Sequence, residues 1–163
     1  NVPQQILETA VDVFFSPELG LYPIVPQVPE VLTELKTRGY KLAVVSNATS
    51  GRLIRQAMAM RDLTRYFETI IVSAEVGYRK PHPKIFQLAM DFLNVTPEQT
   101  VMVGDLLEFD VIGANNLGIK SILAKYVLSK EDYNPPKADI IPDAIVTSFP
   151  EILKYIEQFN KTS

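Results

Sequence analysis

The feature of this sequence that most constrains its fold is the regular alternation of short apolar runs with longer stretches of helical periodicity. Runs that are rich in Val and Ile and lack polar alternation are typical of strands buried on both faces. Five such runs occur, at residues 41–45, 69–72, 101–103, 121–124 and 144–146. We therefore expect an α/β fold, in which a doubly wound, Rossmann-like parallel sheet is covered by helices on both faces.

Periodic apolar residues between these runs predict the covering helices. The expected helices span residues 28–36, 51–60 and 83–93, a stretch following Asp110, and residues 150–159. In the first helix Val31, Leu32 and Leu35 fall on one face, and Gly39 is a typical residue at which a helix ends. Pro83 suits the first turn of the third helix.

Residues 1–21 differ from the rest because their helical pattern has no apolar run of the strand type before it. Their apolar residues recur at helical spacing as far as Phe15, and Ser16-Pro17 follows. This pattern predicts one amphipathic helix. The remaining residues, 22–163, form the predicted α/β core, and 1–163 is expected to be a single domain in which residues 129–142 are a long connection.

The composition excludes several classes of function. The chain contains no cysteine, so it has no disulfide, no thiolate zinc site and no cysteine nucleophile; this fits a cytoplasmic location. Its net charge is −3, without any block of like charge, so we expect neither a nucleic acid nor a membrane partner. No apolar run approaches the length of a membrane span.

Polar residues follow three of the predicted strands, where ligands bind in open α/β sheets. The hydroxyl of Ser46 and the amide of Asn47 are suited to hold a phosphate oxygen, and Lys80 to oppose its charge. Asp105 and Asp110, with Glu108 between them, repel one another unless a cation intervenes, and oxygen ligands suit Mg²⁺.

Each of these residues also has an ordinary structural interpretation. Ser46 and Asn47 fit the polar loop before a helix, and an isolated lysine such as Lys80 is usually a surface residue. Acidic residues at a helix start stabilise the helix dipole, which explains Glu108 better than Asp105. The only histidine, His82, lies between two prolines and is expected to have a role in the turn.

The order and spacing of the motifs are more specific than any one of them. Ser46-Asn47, then Lys80 before a proline, then Gly104-Asp105 with Asp110 five positions on, each follow a predicted buried strand. This series resembles motifs two, three and four of the haloacid-dehalogenase-like hydrolases of the capped, subfamily I type, over about residues 6–124.

The resemblance implies hydrolysis of a small phosphate monoester through an aspartyl-phosphate. It assigns phosphoryl binding to Ser46 and to the amides around Asn47, and charge balance to Lys80. Asp105 is the implied Mg²⁺ ligand, and Asp110 supports the site through Lys80 or a metal-bound water.

The first motif of that family, an Asp-x-Asp that supplies the nucleophile, is not found before Ser46. The nearest candidate is Asp12, but Phe14 replaces the second aspartate and the helical spacing puts Asp12 on a polar helix face. We expect residues 1–21 to be the last helix of a cap, and the chain as given to be inactive unless an upstream segment is supplied. The alternative function is non-catalytic binding of a phosphate-bearing ligand or a protein partner.

A phospho-receiver domain has the same type of sheet but the reverse order of acidic residues and lysine. Here Lys80 precedes Asp105, so we set that function aside.

The missing first strand predicts a gap in the sheet. In the family that strand lies between the strands that end here at Val45 and Val103, and we call the space between those two strands the slot. Unpaired parallel edges recruit other strands. We expect the slot to be closed directly, filled by another segment of this chain or by an upstream fragment, or filled by strand exchange in a homo-oligomer.

Overall fold

The structure is a computed structural model that describes residues 24–125 and 140–162, together with residues 3, 5, 6, 9 and 13. Residues 5, 6, 9 and 13 are helical, and Thr9 Oγ1 donates a hydrogen bond to the carbonyl oxygen of Gln5, four residues earlier. The rest of the predicted N-terminal helix, including Asp12, lies outside the described residues. So does most of the predicted connection over residues 129–142.

The described residues form strands and helices in alternation. The strands are β1 (Ala43–Ser46), β2 (Thr69–Val72), β3 (Val101–Gly104), β4 (Lys120–Ala124) and β5 (Ala144–Val146). The helices are α1 (Val28–Thr37), α2 (Gly51–Ala59), α3 (Ser73–Val76), α4 (Pro83–Leu93), α5 (Ile112–Asn115) and α6 (Glu151–Thr162). Short 3-10 turns occur at Thr64–Tyr66 and Pro97–Gln99, and a π-helical turn, Leu107–Val111, leads into α5.

The predicted α/β fold is confirmed, with differences at the ends of elements. Ser46 is the last residue of β1 and does not follow the strand, since its backbone pairs with Val72 of β2. The helix expected after Asp110 is the short α5, and Asp110 itself lies inside the π-helical turn that leads into it. Helix α3 was not predicted, because a single turn is too short to show helical periodicity.

All strand pairs are parallel, but the described strands form two sheets. One contains β1 and β2, and the other has the order β3-β4-β5. Among the described residues β1 does not pair with β3, so direct closure of the slot is not observed. The slot is therefore bordered by an edge of β1 in one sheet and an edge of β3 in the other.

Burial along the strands follows this division. Every residue of β1 and of β3 is partly exposed, whereas Ser121–Ala124 of β4 is buried. In a parallel sheet covered on both faces, inner strands are buried along their whole length. The partial exposure of β1 and β3 is therefore the exposure expected of edge strands.

Helices on both faces cover the two sheets. On one face Ile85, Phe86 and Met90 of α4 belong to a core that includes Val45 of β1 and Met102 of β3. On the other face α1 and α6 pack around β4 and β5, in a core of residues Val31, Leu35, Ile122, Ala124, Ala144, Val146, Ile152 and Ile156. Since the core beneath α4 contains residues of both sheets, it links them across the slot. No helix in the described part of the chain is long and apolar enough to cross a bilayer.

Asp143 lies just before β5, and its side chain contacts the first two residues of β4. Its Oδ1 lies 2.6 Å from Lys120 Nζ, and its Oδ2 accepts a hydrogen bond of 2.9 Å from the Ser121 amide. Partial burial raises the pKa of Asp143, but the bonds from Lys120 and Ser121 outweigh it, so the pKa lies below its usual range.

This lowered pKa predicts a pH-dependent contribution to stability. The folded state favours the ionised carboxylate, so the contribution is present above the unfolded pKa of about 3.9 and is lost as the pH falls through the folded pKa. Asp143→Asn should lower the free energy of unfolding by about 1 kcal/mol at pH 7. The deficit should shrink in acid, as measured by urea denaturation from pH 7 to pH 3. Asp91→Asn, at an exposed position, is the control; a deficit that does not change with pH would contradict the prediction.

Candidate functional site

The side chain of Asn47 joins the end of β1 to the loop between α3 and α4. Its Nδ2 donates a 2.9 Å hydrogen bond to the carbonyl oxygen of Lys80, and its Oδ1 accepts a 2.7 Å hydrogen bond from the Lys80 amide. Ser46 precedes Asn47 and ends β1 at the same edge of the sheet. The structure thus brings the second and third predicted motifs together.

The side chain of Lys80 reaches the turn that follows β3. Its Nζ lies 2.6 Å from Asp110 Oδ1, and the two side chains are 11% and 2% exposed. The contact is ionic and lacks hydrogen-bond geometry, so the buried Oδ1 has no hydrogen-bond partner within the described part of the chain. Asp110 Oδ2 accepts a 3.1 Å hydrogen bond from the Leu106 amide. Asp110 therefore holds both the lysine and the backbone next to Asp105.

Two glycines permit this close approach. A Cβ at Gly104 would lie 2.3 Å from Asp110 Oδ2, so any larger residue would displace the carboxylate. A Cβ at Gly113 would lie 2.4 Å from the ring of Phe86 and 3.3 Å from Pro81 Cα, which means that α5 packs against α4 and the Lys80 loop only without a side chain there. Neither glycine was predicted to have a role at the site. A glycine directly before Asp105 was the available signal.

Asp105 lies in the first residues after β3 and is partly buried. Burial raises the pKa of its carboxyl group, and the nearby charge of Asp110 raises it further. A hydrogen bond from its own backbone amide and the charge of Lys80 oppose this rise without cancelling it. A carboxylate in such surroundings is stabilised by any cation that approaches it.

The charges of the site determine what it can bind. Lys80 contributes one positive charge, and Asp105 and Asp110 contribute two negative charges. A phosphate dianion therefore meets a site that is not positive overall unless a cation accompanies it. No group of three or more His, Asp or Glu residues suited to a metal occurs in the described ranges. Mg²⁺ is usually bound by few carboxylates and several waters. Since Asp110 is ion-paired with Lys80, Asp105 is the carboxylate that fits one ligand position of such an ion.

Two other residues considered in the sequence, His82 and Glu108, lie in turns of the backbone. His82 precedes α4, and its Nδ1 accepts a 3.1 Å hydrogen bond from the Lys84 amide, which confirms its role in the turn. Its ring also packs against that of Tyr78 in a tilted arrangement, with centroids 4.7 Å apart. Glu108 is exposed on the π-helical turn.

The structure brings the five predicted site residues to one edge of the fold. They lie at the carboxyl ends of β1 and β3 or on the loop between α3 and α4, and they are Ser46, Asn47, Lys80, Asp105 and Asp110.

The buried ion pair predicts strong coupling between Lys80 and Asp110. Lys80→Met and Asp110→Asn should each lower the free energy of unfolding by about 3 kcal/mol, because each leaves one buried charge without its partner. The double variant should lose less than the sum by roughly 0.5–3 kcal/mol, as measured by urea denaturation. Additive losses would contradict the pairing. If a single variant lacks a folded baseline, recovery of a cooperative transition in the double variant gives the same answer.

Comparison with known proteins places these motifs in a family. Residues 6–124 match the family model described as haloacid dehalogenase-like hydrolase. The chain is 35% identical over 141 residues to a glyceraldehyde 3-phosphate phosphatase of Pyrococcus furiosus. The matched region covers 83% of this chain and 55% of the relative. It is 33% identical over 152 residues to a phosphoserine phosphatase of Thermus thermophilus, with coverages of 93% and 58%.

A solved structure agrees with these relatives. A HAD phosphatase from Thermococcus onnurineus superposes with a TM-score of 0.75 at 26% identity, over 89% of this chain and 63% of that one. The chain spans little more than half the length of the two curated relatives. Since the family model matches most of its residues and includes the site, the chain belongs to the haloacid dehalogenase-like hydrolase family.

Proposed function

We propose that this chain provides the phosphate-binding and charge-balancing part of a phosphatase active site. The proposal rests on the position of Lys80. The Asn47 side chain holds the Lys80 backbone, and Asp110 holds the Lys80 ammonium group. A lysine fixed at both ends beside the last residue of β1 is suited to bind the phosphoryl group with the Ser46 hydroxyl and the Asn47 amide.

The substrate class follows from the relatives. Their names specify glyceraldehyde 3-phosphate and phosphoserine, which are both small phosphate monoesters. We propose the same class for this chain, without choosing between them, because nearly half of each relative's length lies outside the match.

We propose that Asp105 holds Mg²⁺ when phosphate binds. Burial, together with the charge of Asp110, raises the pKa of its carboxyl group, and the charge of Lys80 does not offset this rise. A bound Mg²⁺ would supply further positive charge and neutralise phosphate oxygens. Asp110, buried and ion-paired, then keeps Lys80 and the Leu106 amide in position.

The nucleophile is proposed to come from a strand that fills the slot. A strand between β1 and β3 would end between Ser46 and Asp105, next to Lys80, where an aspartate could attack phosphorus. Removal of a nucleophile from a hydrolase costs on the order of 10⁶ in kcat. Without such a strand, we expect the residues described here to bind phosphate but not to hydrolyse its esters.

The edges that border the slot also support the alternative function. The residues of β1 and β3 are partly exposed, and unpaired parallel edges are sites for added strands. A second copy of this chain, or a protein partner that supplies a strand, would then bind there, and phosphate binding would be retained without catalysis.

Phosphate binding tests the proposed function directly. In titration calorimetry the 163-residue chain should bind inorganic phosphate in the presence of Mg²⁺, and Ser46→Ala should weaken binding by about tenfold through loss of one hydrogen bond to a charged group. Ser148→Ala is a matched control, since the Ser148 hydroxyl bonds Glu151 at the start of α6.

Failure of the unaltered chain to bind phosphate with Mg²⁺ would contradict the proposed function. Hydrolysis of a phosphate monoester by this chain alone would instead show that the chain supplies its own nucleophile, which contradicts the expectation of binding without hydrolysis. A Ser148→Ala chain that lost binding equally would show that the effect of Ser46→Ala is not local.

The role of Asp105 predicts a metal requirement. Replacing Mg²⁺ with a chelator should weaken phosphate binding by at least tenfold, because the site then carries more negative than positive charge. Asp105→Asn should bind less Mg²⁺ in a direct metal titration while it keeps a cooperative unfolding transition. An unchanged Mg²⁺ affinity in Asp105→Asn would assign the metal to other residues, and Asp91→Asn controls for the loss of a surface charge.

A further inference from the structure

The side chain of Asn47 does more than its position beside Ser46 suggests. Its amide pairs with both backbone polar groups of one residue, as a neighbouring strand would, with distances of 2.9 Å to the Lys80 carbonyl and 2.7 Å from the Lys80 amide. The carbonyl needs a donor and the amide needs an acceptor, so only one orientation of the Asn47 amide satisfies both.

The loop around Lys80 explains why this pairing matters. Residues 77–82 form no helix or strand, and Pro81 has no backbone N–H to donate. Within the described ranges, Asn47 is the group that hydrogen-bonds both polar backbone atoms of Lys80. Partly buried backbone groups are rarely left without a partner, because losing one costs the desolvation of that group.

The ammonium group of Lys80 depends on both of its attachments. Asn47 fixes the backbone from the β1 side, and Asp110 fixes Nζ from the β3 side at 2.6 Å. Since β1 and β3 belong to different sheets among the described residues, Asn47, Lys80 and Asp110 form a polar connection between the sheets at the edge where the site lies.

We propose that Asn47 is a positioning residue whose side-chain amide, by pairing with the Lys80 backbone, sets the location of the Lys80 ammonium group. The proposal rests on the proposed function insofar as that ammonium group binds phosphate. It assigns the Asn47 side chain a task distinct from that of its backbone amide, which faces the phosphoryl group in the proposed site. The side chain itself need not contact the ligand.

The test uses two variants and a matched control in the full 163-residue chain. Asn47→Ala removes both hydrogen bonds, and Asn47→Asp keeps the size and the acceptor but cannot donate to the Lys80 carbonyl. The control is Asn115→Ala. The Asn115 amide also joins two segments, since it donates to the Ile141 carbonyl at 2.9 Å and accepts from the Ser121 hydroxyl at 2.8 Å, but it does so beside β4.

One readout is chemical and does not require a ligand. The acetylation rate of Lys80, measured by mass spectrometry with Lys84 as an internal reference, reports how well its ammonium group is held against Asp110. Lys80 is 11% exposed and should react slowly in the unaltered chain. In Asn47→Ala and Asn47→Asp its rate relative to Lys84 should rise severalfold, whereas Asn115→Ala should leave it unchanged even if the melting temperature falls.

The second readout is the affinity for inorganic phosphate in Mg²⁺. Asn47→Ala should weaken it by about tenfold, and Asn115→Ala should not. The affinity of Asn47→Asp is left out of this comparison because its added charge repels phosphate directly. Absence of phosphate binding in the unaltered chain would overturn the proposed function, while the acetylation rates would still decide the role of Asn47.

Two outcomes would overturn the positioning role. The first is an Asn47→Ala chain that is folded and matches the unaltered chain in the Lys80 acetylation rate. The second is an equal rise in that rate in Asn115→Ala, which would show a general loosening of the fold. If Asn47→Ala does not fold, Asn47→Asp decides the question by the same measurement.

Discussion

The buried ion pair between Lys80 and Asp110 is the interaction on which the rest of the site depends. A charged side chain that is 2% exposed is costly to bury without an opposite charge beside it, so each of the two side chains depends on the other in the folded state. The pair also determines where neighbouring groups lie, because Asp110 accepts a bond from the Leu106 amide and Lys80 is held by Asn47. Gly104 is a consequence of this packing, since a side chain there would occupy the position of the carboxylate.

The same contacts have a mechanical role in a fold made of two sheets. The apolar core beneath α4 joins β1 and β3 on one face, and the Asn47–Lys80–Asp110 connection joins them at their carboxyl ends. Apolar packing supplies most of the free energy that keeps the sheets together, but it is not directional. The polar connection is directional, and it ties the two sheets together at their carboxyl ends.

The charge distribution accounts for the cation that the proposed function requires beside phosphate. Lys80 is already paired with Asp110, and burial together with the charge of Asp110 raises the pKa of Asp105. An arrangement of this kind separates two tasks. One carboxylate keeps the lysine in place, and the other remains available for a metal. A site with a free lysine and no neighbouring acid would bind anions more generally and with less discrimination.

Much of the fold and the identity of the site residues could be predicted from the sequence. Apolar runs and helical periodicity depend on local patterns, so all five strands and the five helices expected beyond residue 27 were found to within a few residues. The order of Ser46, Lys80, Asp105 and Asp110 was sufficient to indicate the family by its resemblance to the family's motifs. That these residues lie together could be expected because the carboxyl ends of parallel strands meet at one edge.

What only the tertiary structure decided are the contacts between segments far apart in the chain: the pairing of the Asn47 side chain with the Lys80 backbone, the clearance at Gly104 and Gly113, and the separation of β1 from β3 among the described residues. The physical reason is that periodicity records which face of an element is buried. Which side chain meets which backbone group depends instead on how the elements pack in three dimensions.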